Sequence, residues 1–151
     1  MTTIGSLVRD RPVFSVRHDS TILEAAKYMA ERNAGAVAVY DGTRLVGIFS
    51  ERDIITRVIA RGLDPSVVRV EQAMTKDLVV ADAGESEESC LRKMKAANCR
   101  HLPVVSGEQF LGLISLRDLL QLGLSERDEK IEFLHSYLFH LSPDAEKRSK
   151  G

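Results

Sequence analysis

Apolar positions along this chain change period in a regular order. Ile22, Ala25, Ala26 and Met29 lie at i, i+3, i+4 and i+7, while Glu24, Lys27 and Glu31 fall elsewhere, which predicts an amphipathic helix over residues 22–32. Ala36 to Tyr40 and Leu45 to Phe49 are short apolar runs around Asp41-Gly42, a pair that supplies the positive torsions of a tight turn, and they predict a buried hairpin. Val13-Phe14-Ser15-Val16 predicts a strand ahead of the helix, and Asp19-Ser20-Thr21 offers oxygen acceptors for its open amino end. Residues 52–61 predict a second helix, stopped by Gly62 and Asp64-Pro65. The unit reads β-α-β-β-α.

The same order then returns: Leu78 to Ala81, a helix near Ser86 to Ala97, Leu102 to Val105, Phe110 to Ile114, and Leu116 to Leu122. Gly47-Ile48-Phe49-Ser50-Glu51-Arg52-Asp53 recurs 65 positions later as Gly112-Leu113-Ile114-Ser115-Leu116-Arg117-Asp118. Met29, Asn33, Val39 and Gly42 recur in that register as Met94, Asn98, Val104 and Gly107. A shared core pattern alone would not preserve Ser, Arg and Asp at fixed offsets, so the duplication bears on function as well as fold. Val68 to Met74 leads into the second unit as Thr3 to Val8 leads into the first.

Each hairpin leaves an apolar face that one thin unit cannot cover, so the two repeats are expected to pack together about a pseudo-two-fold axis. The expected class is α/β, with residues 1–65 as the first repeat, 66–124 as the second and 125–151 as a C-terminal helix and tail. Ile131, Leu134, Leu138 and Leu141 share a stripe of that helix, suited to covering the core or to pairing with another subunit.

Composition narrows the function classes. The chain has 151 residues, 44% of them hydrophobic and 28% charged, the profile of a globular module that buries roughly 70% of its unfolded surface. No apolar stretch approaches the roughly 18 residues that cross a bilayer, and no signal-peptide block opens the chain, so a soluble cytoplasmic protein without membrane contact is expected. The 21 Lys and Arg against 22 Asp and Glu leave no global field for nucleic acid. Cys90 and Cys99 lack CxxC spacing, and the four histidines lack a metal-ligating pattern.

Ser50 and Ser115 stand where a strand becomes a helix. Their hydroxyls can cap it, with Asp53 and Asp118 in its positive first turn, for about 1 kcal/mol without any ligand. The same helix start can attract phosphate, and a carboxylate can accept bonds from two vicinal ribose hydroxyls. No nucleophile elbow, phosphate-binding P-loop or dinucleotide fingerprint accompanies these residues, and no His in register completes a triad, so no enzymatic activity is expected.

The duplicated Gly-h-h-Ser-x-x-Asp segments at Gly47 and Gly112, the apolar strand before each, and Arg100-His101-Leu102-Pro103-Val104 resemble a tandem pair of CBS domains, the cystathionine β-synthase type repeat that forms a Bateman module. The resemblance covers residues 3 to 123 and implies a regulatory module that binds an adenine nucleotide: AMP first, with ADP, ATP or NAD(H) as competitors, and no required cofactor. It implies ribose contacts at Asp53 and Asp118, ribose or phosphate contacts at Ser50 and Ser115, and adenine read by backbone groups beside the hairpins. It also implies a flat homodimer, with output through a partner protein or self-assembly. Arg100-His101 stands where the first repeat has Gly35-Ala36 and resembles the family's phosphate-contacting pair; Arg117, like Arg52, could reach phosphate. Unequal clefts follow, with the cleft of Asp118 expected to hold phosphate more tightly. Glu87, where the first repeat has Ile22, departs from the pattern and puts the entry of the second helix in question. The competing reading is an interaction module whose clefts are vestigial and whose Ser and Asp survive as helix caps.

Overall fold

The computed structural model describes residues 3–124, together with His135 and Leu138. Helix α1 (Ile4–Arg9) precedes strand β1 (Ser15–Arg17), helix α2 (Ile22–Arg32), strands β2 (Ala36–Asp41) and β3 (Arg44–Ser50), and the one-turn helix α3 (Glu51–Asp53). The chain continues as a π-helical segment, Ile54–Ile59, and a 3-10 turn, Val70–Gln72. Strand β4 (Ala81–Asp82), helix α4 (Glu87–Ala97), strands β5 (His101–Ser106) and β6 (Gln109–Ser115) and helix α5 (Leu116–Leu124) repeat the order. Of the helix predicted over residues 125–141, only His135 and Leu138 fall among the described residues. One compact unit ends at Ile114 and another begins at Ser115.

The fold is α/β, built from two pseudo-symmetric β-α-β-β-α repeats. Each has a three-stranded sheet, β1-β2-β3 or β4-β5-β6, whose central strand runs parallel to the first. A parallel neighbour requires a crossover, and α2 and α4 supply it. Both helices are capped at each end. Thr21 and Ser86 accept from the amides of Glu24 and Ser89, and Asn33 and Asn98 end the helices in the left-handed conformation at φ 53° and 52°. Gly42 and Gly107, at φ 63° and 61°, turn the two hairpins.

The first core joins Ile22, Ala25 and Met29 of α2 to Val37 and Val39 of β2 and to Phe49 and Val58. Burying a ring such as that of Phe49 stabilises by roughly 1.5–3 kcal/mol. Val70, Ala73 and Met74, which sequence order assigns to the second repeat, complete this core. The reverse also holds: Ile4 and Val8 of α1 are buried, and Gly5 N–H donates to the carbonyl of Ala83 beyond β4. The two lead-ins are therefore exchanged. Each lies behind the hairpin glycine of the other repeat: a Cβ on Gly47 would sit 2.9 Å from the Thr75 carbonyl oxygen, and one on Gly112 would sit 3.3 Å from Val8 Cβ.

Two expectations change in detail. The predicted second helix of the first repeat is α-helical only over Glu51–Asp53 and then widens to i→i+5 bonding, as in Ala60 N–H to Ile55 C=O at 2.8 Å. Glu87 does not displace the entry of α4. It is buried in the first turn, where the helix dipole favours a carboxylate. Among the described residues no helix is long and apolar enough to cross a membrane.

Candidate functional site

The end of β3 delivers Ser50 to the start of α3. Ser50 Oγ accepts from Asp53 N–H at 3.2 Å, and Ser50 N–H donates to Asp53 Oδ2 at 3.0 Å. This is a reciprocal cap, and Ser115 and Asp118 repeat it at 3.1 and 2.7 Å. The capping function read from the sequence is present in both copies.

Asp53 has a second oxygen to spend. Its side chain is only 8% exposed, and Oδ1 lies 3.5 Å from Arg57 Nε and 3.4 Å from the Thr75 hydroxyl. Arg57 comes from the π-helical segment, and its Nη1 also donates to the Met74 carbonyl at 2.9 Å. Sequence reading did not single out Arg57. The available signal was its place four residues after Asp53, where the second repeat has Leu122 after Asp118.

A cavity of about 460 Å³ opens beside this segment. Ser50, Glu51, Arg52, Asp53 and Arg57 line one side; Leu78 and Val79 before β4, and Asn98, Cys99, Arg100, His101 and Pro103 around the start of β5, line the other. Four expected site residues, Ser50, Asp53, Arg100 and His101, thus meet in one cavity. This re-pairs the basic residues, which were expected to serve Asp118. The reason lies in the seam: residues preceding the central strands meet across it, and a Cβ on Gly35 would sit 3.4 Å from His101 Nε2 and 3.7 Å from Glu51 Oε1. The room that Gly35 leaves is taken by His101. Ser115, Arg117 and Asp118 belong to the second compact unit, where Ser115 and Asp118 form their cap and Arg117 is exposed.

Arg52 spans the seam as well. Its Nη1 donates to the Asn98 carbonyl at 2.8 Å, placing a cation at the carboxyl end of α4.

Residues 4–60 and 70–125 each match the CBS domain family. The chain belongs to that family. It is 37% identical over 121 residues to an uncharacterized 17.7 kDa protein of Acidianus ambivalens, covering 79% of this chain and 72% of that one. It is 31% identical over 119 residues to the CBS domain-containing protein CBSCBSPB2 of Arabidopsis thaliana, of whose length it spans only 22% against 78% of its own. The CBS-domain containing protein ATU1752 from Agrobacterium tumefaciens superposes with a TM-score of 0.74 at 31% identity, over 80% of this chain and 98% of that one. A CBS domain protein from Pyrobaculum aerophilum, solved in complex with AMP, shares the fold at a TM-score of 0.71 and 24% identity, over 89% and 99% of the two chains. This chain is thus a tandem CBS-domain module.

The two CBS repeats differ again at the cavity wall. In the first, β1 pairs with β2 from Ser15↔Ala38 onward, and Ala38 N–H donates to the Phe14 carbonyl at 3.0 Å. In the second the residue equivalent to Ala38 is Pro103, which has no N–H, and pairing begins only at Ala81↔Val104. The Val79 carbonyl, equivalent to that of Phe14, thereby loses its ladder donor at a position that lines the cavity.

Neither thiol is activated. Burial pushes Cys90 up to about 11, with the Glu85 charge adding to it, and burial also raises Cys99 at the cavity wall. Among the described residues, no group of three His, Cys, Asp or Glu could hold a metal ion.

Proposed function

We propose that this chain senses an adenine nucleotide, with AMP favoured over ADP, ATP and NAD(H), and that its tighter site is the cavity shared by Ser50, Asp53, Arg100 and His101. The observation that carries this reading is the convergence of a ribose-type acceptor and a phosphate-type basic pair, drawn from different repeats, on one cavity of about 460 Å³. That volume is in the range of small-molecule sites. Asp53 accepts the ribose hydroxyls, Ser50 and the start of α3 stand near the ribose and phosphate, and Arg100 with His101 takes the phosphate. The Val79 carbonyl, released by Pro103, supplies an acceptor for the amino group of adenine.

Charge favours a monophosphate. Arg52, Arg57 and Arg100 line the cavity beside Glu51, Asp53 and Asp77, and two of those arginines already engage backbone carbonyls. Arg100 and His101 together form one basic pair on this wall, which suits one phosphate better than three. Ser115, Arg117 and Asp118 are assigned to a second, weaker site.

A ligand that touches both repeats transmits a signal only through its difference in affinity between two arrangements of them. The output goes to a partner protein or to self-assembly. Ile55, Ile59 and Leu63 recur every four residues and are 62%, 57% and 43% exposed, an apolar stripe that supports a homodimer.

The vestigial-cleft alternative has one observation in its favour, since the reciprocal caps account for Ser and Asp in both copies without a ligand. They do not account for Arg100, His101 or Pro103. Calorimetry with AMP, ADP, ATP and NADH separates the readings: AMP is expected to bind most tightly, at one site ahead of the other. If no nucleotide binds below the millimolar range, the sensing role is lost and the caps are the whole explanation.

A further inference from the structure

Away from the cavity, a charged junction ties two segments of the first repeat to the turn between the repeats. His18 follows β1, Asp41 ends β2 at the hairpin tip, and Glu71 sits in the 3-10 turn between the repeats. His18 Nδ1 is 2.5 Å from Glu71 Oε2, and Nε2 is 3.5 Å from Asp41 Oδ1. Backbone bonds join the same three segments: His18 N–H donates to the Tyr40 carbonyl at 2.9 Å and Glu71 N–H to the His18 carbonyl at 3.0 Å.

We propose that His18 is a proton-operated latch that fastens the segment between the repeats to the tip of the first hairpin. Only the imidazolium has a donor on both ring nitrogens. The neutral ring can still donate from Nδ1 to Glu71, but Nε2 then turns a lone pair toward the Asp41 carboxylate, and that half of the bridge is lost.

The surrounding charges leave this role to His18. Arg17 pairs with Asp19 at 3.0 and 3.1 Å, Arg69 donates to the Asp19 carbonyl, and Arg44 stands across the ladder from Asp41. Glu71, Asp41 and Asp19 all face a ring that is 27% exposed. The Glu71 hydrogen bond raises the His18 pKa above its ordinary value; partial burial opposes it, and the Asp41, Glu71 and Asp19 charges add to it. A raised histidine contributes stability that is complete below the unfolded value, near 6.5, and is lost as pH rises through the folded value.

The latched segment matters to both core and cavity. It carries Val70, Ala73 and Met74 into the first core. It ends at Thr75, which pairs with Ile48 in both directions at 2.8 and 3.0 Å and whose hydroxyl faces Asp53. Release at His18 therefore loosens a strap whose far end forms a wall of the cavity.

The test needs no ligand. NMR titration of the histidine Cε1 protons in the full chain, with His18→Gln assigning the resonance, should place His18 above about 6.5. Glu71→Gln should bring it down markedly and Asp41→Asn by less. Amide exchange at Glu71 and Thr75, corrected for its intrinsic rise with pH, should lose about tenfold protection per pH unit of the measured shift as the ring deprotonates. His18 titrating at or below the ordinary value, an unchanged titration in Glu71→Gln, or protection that ignores the transition would each overturn the latch. Should His18→Gln fail to fold, loss of one resonance in Glu71→Gln relative to its wild-type position still assigns and tests it.

Discussion

The two copies of the repeat share a cap and differ in what surrounds it. Ser50 and Asp53 on one side, and Ser115 and Asp118 on the other, make the same pair of reciprocal hydrogen bonds. Around the first pair the helix widens to a π-helical segment and brings Arg57 to Asp53; the second continues as the regular helix α5, with Leu122 at the equivalent position. Across the seam, Ala38 keeps a ladder bond that Pro103 cannot make. The conserved offset thus describes the scaffold, and the departures from it describe the proposed site. Identical local hydrogen bonding does not make identical binding sites, because a ligand meets the neighbours of the cap.

Substitution of the hairpin glycines probes this comparison with the largest expected effect. Gly47→Ala meets the Thr75 carbonyl, held in place by Ile48, and Gly112→Ala meets Val8 with a backbone φ of 156°. Each should lower stability by about 1–3 kcal/mol in denaturant titrations. Only Gly47→Ala should also weaken AMP binding, since Thr75 lines the cavity.

Asp53→Ala and Asp118→Ala should each remove the carboxylate half of a reciprocal cap, for about 1 kcal/mol, and leave the Ser hydroxyl's bond to the backbone N–H in place. They should part on ligand affinity: Asp53→Ala is expected to weaken AMP about 10- to 100-fold, the value of a hydrogen bond to a charged group, and Asp118→Ala to change the tight site little. Equal losses in calorimetry would remove the predicted inequality.

Pro103→Ala makes the second repeat resemble the first. The new N–H can satisfy the Val79 carbonyl while the unfolded chain regains freedom worth about 0.4–1 kcal/mol, so the melting temperature should scarcely move. AMP affinity should fall about 2- to 10-fold as the acceptor is withdrawn. A rise in affinity would show that the free carbonyl is not part of the site.

The smallest effect concerns the thiols. Cys99 at the cavity wall should alkylate slowly and Cys90, at about 11, more slowly still. AMP should protect Cys99 alone, as read by mass spectrometry of the labelled peptides.

Element order was legible because it is written in local patterns. The helical stripe from Ile22 to Met29, the turn at Gly42 and the caps at Thr21, Ser50 and Ser115 all depend on neighbours close in sequence. The exchange of lead-ins was not, since the apolar faces of Val8 and Met74 say that they are buried without saying behind which hairpin. The neighbours of Arg100-His101 are hidden for the same reason: sequence order places the pair in the second repeat, while the cavity lining sets it beside Gly35, Ser50 and Asp53. The π-helical widening leaves no periodic signature in six residues. Pro103 was visible, and its meaning required knowing which carbonyl lay opposite.

The most direct measurement is a pair of double-mutant cycles on AMP affinity, crossing Arg100→Ala with Asp53→Ala and with Asp118→Ala. Groups that hold one ligand in one cavity should couple, so Arg100→Ala should cost much less once Asp53 is gone, whereas its effect should add independently to that of Asp118→Ala. Coupling of Arg100 to Asp118 together with additivity toward Asp53 would contradict the assignment of the basic pair to the first motif.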